Sequence, residues 1–438
     1  MGRGALLTIS VIVLLGSALD LGAVRTEARG IGPDPGSRSF STGADATAPG
    51  AYIPGWSNIT GPGDVQVLPG SRQGAAWAYD PALGRVVLYG GTGPGNVVLN
   101  DTWTLVPRNI TWVPADPAEV SADPSHLPEP LPPLTNASMA YDAVDGYLLL
   151  FGGELPNGSA YNGTWSLSGS VSAGLEWTDL TPTLASGPGP CASPKMVYDN
   201  ESGSIFLYTG EARNSTWQYH DGSWGRLPSV SIPPPRRGGA LAYLPGDEGV
   251  LLFGGESIAT VFRPSVALND TWLYEDGGWS TRPLNGSPPA LPYVGMDYDG
   301  VLDKVFVVAG GPTLQTWTLS PESWTSDWTN VTAAGPTTPS GRTGYGVLYD
   351  PVDGWTMLFG GQTWGSSSAE LNDLWVWDHP ASSQDPATAA APIPWILWVG
   401  AALGGSVAIA LAVVWVRWPR QRSSAPVPNG PPSAPAER

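Results

Sequence analysis

Cysteine is nearly absent: a single residue, Cys191, rules out an intrachain disulfide framework and any cysteine-based zinc site. Charge is scarce too, at 13% of 438 residues, and positive charge scarcer still, with 20 Lys plus Arg against 38 Asp plus Glu. A formal charge of -18 repels phosphate backbones, so binding to nucleic acid through basic patches is excluded. What the chain has in quantity is turn formers, 57 Gly and 46 Pro, which argue against a helix-rich fold. It also has 21 Trp, 15 Tyr and 7 Phe, enough large apolar surface for a substantial core. An all-β protein of many short strands is expected.

Two uncharged runs rich in apolar residues stand near the two ends. Arg3 precedes the run Ala5 to Leu19, too short to span a bilayer comfortably and ending near Gly16, Ser17 and Ala18, the form of a signal peptide. Trp395 to Val416 carries no charge over 22 residues. At about 1.5 Å per residue this crosses a hydrocarbon core of roughly 30 Å. Trp395, Trp398, Trp415 and Trp418 flank it, and Arg417, Arg420 and Arg422 place the following tail inside. The expected order is a signal region at 1–30, a linker at 31–50, a folded domain at 51–380 and a linker at 381–393. A membrane helix at 394–418 and a cytoplasmic tail at 419–438 follow. The expected location is the plasma membrane, as a single-pass type I protein with its folded domain outside. Residues 31–392 carry 13 basic and 35 acidic side chains, so the acidity belongs to the outer part. Gly400, Gly404, Ala408 and Ala412 recur every four residues, which either supports a weak helix dimer or reflects the abundance of small residues in such helices.

Asparagine is concentrated in sequons. Of 14 Asn residues, 11 stand in Asn-x-Ser/Thr: Asn58, Asn100, Asn109, Asn136, Asn157, Asn162, Asn200, Asn214, Asn269, Asn285 and Asn330. An N-glycosylated exterior is expected. Asn100, Asn162, Asn214 and Asn269 belong to a repeated Asn-x-Thr-Trp unit that strand geometry could also explain.

That unit is part of a sixfold repeat. It begins with Tyr-Asp at Tyr79, Tyr141, Tyr198, Tyr298 and Tyr349, degenerate at Tyr243-Leu244. An apolar strand then ends in Gly-Gly at Gly90, Gly152, Gly254, Gly310 and Gly360, degenerate at Thr209-Gly210. A Trp follows, at 103, 165, 217, 272, 317 and 375, and five copies add a second, at 112, 177, 224, 279 and 328. The sixth copy lacks this second Trp, while Trp56-Ser-Asn-Ile-Thr60 at the front resembles Trp177-Thr-Asp-Leu-Thr181 and Trp328-Thr-Asn-Val-Thr332. The N-terminus should therefore supply the last outer strand, closing the ring with no open seam.

From Trp56 to Asp378 these landmarks resemble the kelch repeat, and the resemblance implies a six-bladed β-propeller. With strands a to d counted outward, the b to c and d to a loops share one end, and here they are the long and variable ones. Binding is expected at that end. Seven residues before the landmark Tyr stand Arg72, Arg236 and Arg342, where kelch repeats often carry Arg facing the central channel. Directly after Gly-Gly come Glu154, Glu211 and Glu256, with Gln362 in blade six. Two readings follow: mutual pairing of Arg with Glu between blades, or arginines that recognise a carboxylate, sulfate or sugar acid. Trp364 could stack on a sugar ring or against a neighbouring loop.

Kelch propellers include copper-dependent enzymes similar to galactose oxidase, which need imidazole, tyrosinate and a Cys-Tyr crosslink. The three histidines do not meet that need: His126 falls in a Pro-rich loop, His220 at the opposite end, and His379 in the membrane linker. No cofactor or metal is expected. Asp221-Gly222 and Asp276-Gly277 are fragments of a sialidase-type turn and read better as hairpin turns. Carboxylate-pair hydrolysis and calcium stay open. The expected function is a cell-surface binding protein for a glycan or another surface protein. An extracellular carbohydrate-active hydrolase or lyase is the alternative, and a structural cell-envelope component the third.

Overall fold

A computed structural model describes residues 55–60, 67–115 and 130–378, apart from 173, 211–213, 230, 247–248, 322–326 and 333–337. The expected signal region, linkers, membrane helix and tail lie outside these residues. Among the described residues no helix is long and apolar enough to cross a membrane.

Six antiparallel sheets make six blades, each running a to d. Blade 1 comprises Ala76–Asp80, Arg85–Tyr89, Thr102–Val106 and Thr111–Pro114. Blade 2 comprises Ser138–Asp142, Tyr147–Phe151, Thr164–Ser170 and Gly174–Asp179, and blade 3 Lys195–Asp199, Ser204–Tyr208, Thr216–His220 and Ser223–Leu227. Blade 4 has Ala240–Leu244, Gly249–Ser257, Ala267–Glu275 and Gly278–Thr281, and blade 5 Val294–Asp299, Lys304–Ala309, Gln315–Leu319 and Thr329–Asn330. Blade 6 takes strands a to c from Gly346–Asp350, Trp355–Phe359 and Leu374–Asp378, and its fourth from Gly55–Asn58. That N-terminal strand pairs antiparallel with strand c in the register Trp56 to Trp377 and Asn58 to Trp375, closing the ring as the repeat implied. The six a strands touch one another in sequence, blade 6 meeting blade 1.

Strand b reads as a nearly unbroken apolar run because both of its faces are covered. In blade 1, Val86 and Leu88 face blade 6, whereas Val87 and Tyr89 face blade 2. The core is therefore six apolar clusters, one in each gap between neighbouring blades. Each strand-d Trp reaches into the gap before it: Trp177 meets Tyr89, Trp224 meets Phe151, and Trp56 meets Phe306, edge to face at 5.4, 5.4 and 6.0 Å.

The same indoles tie the blades by hydrogen bonds. Trp177, Trp224, Trp279, Trp328 and Trp56 donate Nε1–H to Thr102, Thr164, Thr216, Thr271 and Thr316 at the start of the previous blade's strand c, at 2.9–3.4 Å. In the sixth gap the acceptor position holds Leu374, and the buried Nε1 of Trp112 has no partner.

At the far end the a–b turns of all blades but the fourth carry an Asp: Asp80 Oδ1 accepts from the Ala82 and Leu83 amides, and Asp142, Asp199 and Asp299 act alike. Gly91, Gly153, Gly255 and Gly361, the second Gly of each pair, have φ of 93–97°. A Cβ there would come within 2.5–2.8 Å of a backbone carbonyl of the preceding loop, so only glycine fits.

Candidate functional site

The three arginines are buried, and each closes the base of a b–c loop. Arg72 donates from Nη1 to the Gly90 carbonyl at 2.8 Å and makes a bidentate pair with Asp101 at 2.6 and 2.7 Å. Arg236 binds the Gly254 carbonyl and Asp270 in the same way, and Arg342 the Gly360 carbonyl and Asp373. Each carboxylate also accepts the indole N–H of the Trp two residues on, Trp103, Trp272 or Trp375, at 2.6–2.7 Å. Burial pushes the Asp101 and Asp270 carboxyls up, but the arginine's hydrogen bonds and charge, with the indole N–H, outweigh it and hold both below the usual carboxylate range.

The expected pairing of these arginines with glutamates is thus corrected: the partners are aspartates within the same blade, where a planar fork meets a carboxylate end-on. Arg72, Arg236 and Arg342 are buried, and their guanidinium groups are engaged in these pairs. Where the clamp is missing, other groups fill its place. In blade 3 the position is Cys191, whose Sγ–H donates to the Thr209 carbonyl at 2.9 Å, and Ser215 Oγ receives the Trp217 indole. In blade 5 Gln315 Oε1 receives the Trp317 indole, and in blade 2 the Tyr161 hydroxyl receives that of Trp165.

The glutamates occupy a separate collar one residue further in. Glu154 bridges to Thr135 and Glu256 pairs across strands with Arg237, as Gln362 does with Thr343 and Thr92 with Gln73. The cation placed opposite Glu256 is therefore Arg237, the neighbour of the residue the repeat singled out. Tyr293 belongs to this group: burial raises its hydroxyl pKa, Glu256 and Glu154 add to the rise, and Arg237 opposes it. Glu211 lies outside the described residues, as do His126 and His379. His220 ends strand c of blade 3, with Nδ1 3.1 Å from the Gly203 carbonyl.

Several sequons have structural work of their own. Thr102, Thr164, Thr216 and Thr271, the hydroxyl residues of four of them, are the buried acceptors of the inter-blade Trp bonds. Asn58 and Asn330 accept the amides of Thr60 and Thr332 in tight turns, and blade 2 makes the same turn with Asp179 and Thr181. Asn214 donates Nδ2 to the Pro233 carbonyl at 2.6 Å. Blade geometry thus accounts for more of the Asn-x-Thr pattern than the repeated Asn-x-Thr-Trp unit alone.

Among the side chains exposed at the loop-bearing end are four large apolar ones. Val97 in the b–c loop of blade 1 is 56% exposed, Trp364 in that of blade 6 is 46% exposed, and Val261 and Phe262 in that of blade 4 are 92% and 91% exposed. Trp364 donates its amide to the Gly341 carbonyl at 2.9 Å while half of its side chain meets solvent, so it is open to stacking.

No family model matches the chain. It is similar to an F-box/kelch-repeat protein of Arabidopsis thaliana, at 27% identity over 212 residues, covering 44% of this chain and 40% of that protein. Over 242 residues it is 27% identical to multiple epidermal growth factor-like domains protein 8 of Rattus norvegicus, covering 50% of this chain and 8% of the relative. The match thus spans less than half the length of either relative. The solved structure of YjhT aligns with a TM-score of 0.48 and 13% identity over 71% of this chain and 96% of that one. The chain is a six-bladed β-propeller whose sequence is similar to that of kelch-repeat proteins.

Proposed function

We propose that the chain is a cell-surface binding protein that offers the loop-bearing end of its propeller to another surface protein. The observation that carries this is the division of labour at that end: the buried arginines serve the scaffold, and the loops they anchor expose Val97, Phe262 and Trp364. Rigid loop bases with apolar tips suit recognition, because little order is lost on binding. Similarity to kelch-repeat proteins, whose propellers generally serve as interaction scaffolds, supports the same reading. The placement at the membrane rests on sequence: the signal-like run before residue 30, the uncharged segment 395–416 with its arginines, and the sequons. Anchoring through that one helix, with weak helix pairing along Gly400, Gly404, Ala408 and Ala412, belongs to the same proposal. Exposure of Trp364 favours a glycan as a second ligand class, through stacking on a sugar face.

Arrays of glycans and of purified extracellular proteins, probed with the full chain, test this reading. Binding lost on Trp364→Ala only among glycans would favour the second ligand class. Catalytic turnover of an arrayed glycan, or a blank on both arrays, would overturn the binding reading.

A further inference from the structure

The b–c connection of blade 4 differs from the other five. Strands b and c of this blade, Gly249–Ser257 and Ala267–Glu275, are nine residues each, the longest in the described residues, and they carry the hairpin past the collar. Beyond Ser257 the chain continues as an arm in which every residue from 259 to 266 is exposed. The arm's backbone closes on itself: Ser257 N–H donates to the Val266 carbonyl, and Thr260 and Arg263 exchange backbone bonds of 2.8 and 3.3 Å across the tip. Thr260 Oγ1 also accepts the Arg263 amide at 3.1 Å. At the base, Arg236 fastens Gly254 to Asp270. The two residues at the turn, Val261 and Phe262, touch almost nothing of their own molecule. An aromatic side chain displayed on a braced turn, where the other Phe rings among the described residues are buried between blades, has no folding role to explain it.

We infer that this arm is the principal contact element of the binding end, and that Val261 and Phe262 insert into an apolar socket with a carboxylate-lined rim on a partner protein. The inference rests on the binding reading above. Three observations select the occupant. The tip is convex and its backbone groups are internally paired, so it presents side chains and no free strand edge. Arg263 is the one cation of the arm, in an outer region with 13 basic and 35 acidic residues, so an acidic rim would attract the tip while the body of the molecule repels anionic surfaces. An anionic bilayer is disfavoured by that same acidity. The cavity of about 390 Å³ beside blade 3 does not supply such a socket in a second copy, because Arg226 in its lining places a cation where Arg263 would dock.

The test uses the full chain in nanodiscs with the wild-type sequence, Phe262→Asp, Arg263→Glu and Trp364→Ala. Proteins retained from the extracellular fraction of the source cells are identified, purified singly and titrated against each variant. Because Phe262 is exposed, its substitution should leave the melting curve unchanged. The expected result is at least a tenfold loss of affinity for Phe262→Asp. Arg263→Glu should give a smaller loss that vanishes at high salt, and a photocrosslink from position 262 should reach an apolar pocket bordered by Asp or Glu. A partner whose affinity ignores Phe262→Asp would overturn the arm and leave the binding reading standing. Flotation with added phosphatidylcholine or phosphatidylglycerol vesicles, or self-association, that depends on Phe262 would overturn the proposed occupant. Retention of nothing above empty nanodiscs would remove the binding reading and the arm together.

Discussion

Blades 1, 4 and 6 and blades 2, 3 and 5 share one strand plan yet solve the same local problem differently. In the first set a buried arginine joins the end of strand b to an Asp at the start of strand c. In the second set those two positions read Leu134 with Gly163, Cys191 with Ser215, and Leu291 with Gln315. The difference follows what the loop projects more closely than its length, since blade 2 has a connection at 152–163 as long as the one at 90–101 in blade 1 and has no clamp. Blades 3 and 5 have the shortest b–c connections and no clamp, whereas the three clamped blades carry the three loops that project Val97, Phe262 and Trp364. In the clamped blades a bidentate ion pair with a carbonyl contact holds the two strand ends at a fixed spacing beneath the projecting loop. The arginines are thus part of what makes the binding end rigid.

The largest expected effect breaks this comparison at its centre. Arg236→Ala leaves Asp270 and the Gly254 carbonyl without their donor, and should cost about 3–5 kcal/mol in denaturant unfolding. Cys191→Ala, at the equivalent position of blade 3, removes one weak hydrogen bond and a small volume and should cost about 1 kcal/mol. Equal costs would mean that the clamp is incidental to the projecting loop. Replacing Arg236 and Asp270 together by Met and Leu should recover much of the loss, since the pair would then be absent and neither charge left alone.

Much of this architecture could be read in advance, and the limits were physical. The repeat was visible because most blades use the same Asp turn and the same Gly-Gly, and each gap between blades receives a strand-d Trp. Trp56 was identifiable as the closing strand because Asn58 and Thr60 repeat the turn of Asp179 and Thr181. The partners of the arginines were missed because Asp101 lies 29 residues from Arg72 and Asp270 lies 34 from Arg236. A signal existed nonetheless: Arg seven residues before the Tyr and Asp two before the Trp occur together in three copies and vanish together in the other three. The arm of blade 4 left no such trace, since an apolar Val-Phe in a strand-like stretch does not announce whether it is covered. Sequon counting alone could not separate its two readings, as the Thr of Asn-x-Thr-Trp is also an acceptor for an indole from the next blade.

A second prediction sharpens the contrast between aspartates held in clamps and those held near the opposite end. Burial pushes the carboxyls of Asp350 and Asp297 up to about 6. Asp350 Oδ2 is buried with no hydrogen-bond partner, and Asp297 accepts the Tyr298 and Tyr349 amides at 2.8 Å. A raised folded-state value means that the protonated form favours folding. Their contribution is therefore complete below the unfolded value of 3.8 and is lost as pH rises through about 6. Asp101 and Asp270, held below 3.8, act in the opposite sense, and their contribution disappears only as pH falls through their own lowered values. Stability should therefore be greatest near pH 4, fall by on the order of 3 kcal/mol for each raised carboxyl between about pH 4 and 6, and level off toward pH 8. Unfolding measured across that range should show the slope, and Asp350→Asn should flatten it. A profile that rises from pH 5 to 8 would contradict the assignment.

The smallest effect concerns the one gap in which the inter-blade hydrogen bond is missing. Five strand-d indoles donate to a Thr of the preceding blade, while Trp112 faces Leu374 and its N–H stays unpaired. Trp→Phe keeps most of the apolar surface and deletes the donor, so it separates ring burial from the hydrogen bond. At Trp177 the change strands the buried Thr102 hydroxyl and loses the 3.0 Å bond, whereas at Trp112 it removes a buried polar atom that had no partner. Trp177→Phe should therefore cost about 1–2 kcal/mol more than Trp112→Phe, because leaving a buried polar group unsatisfied is what makes such deletions expensive. The two variants lose the same ring area, which removes the cavity contribution from the difference. Equal destabilisation would show that the indole N–H contributes nothing to holding blades together, and that Trp is kept at these positions for its size alone.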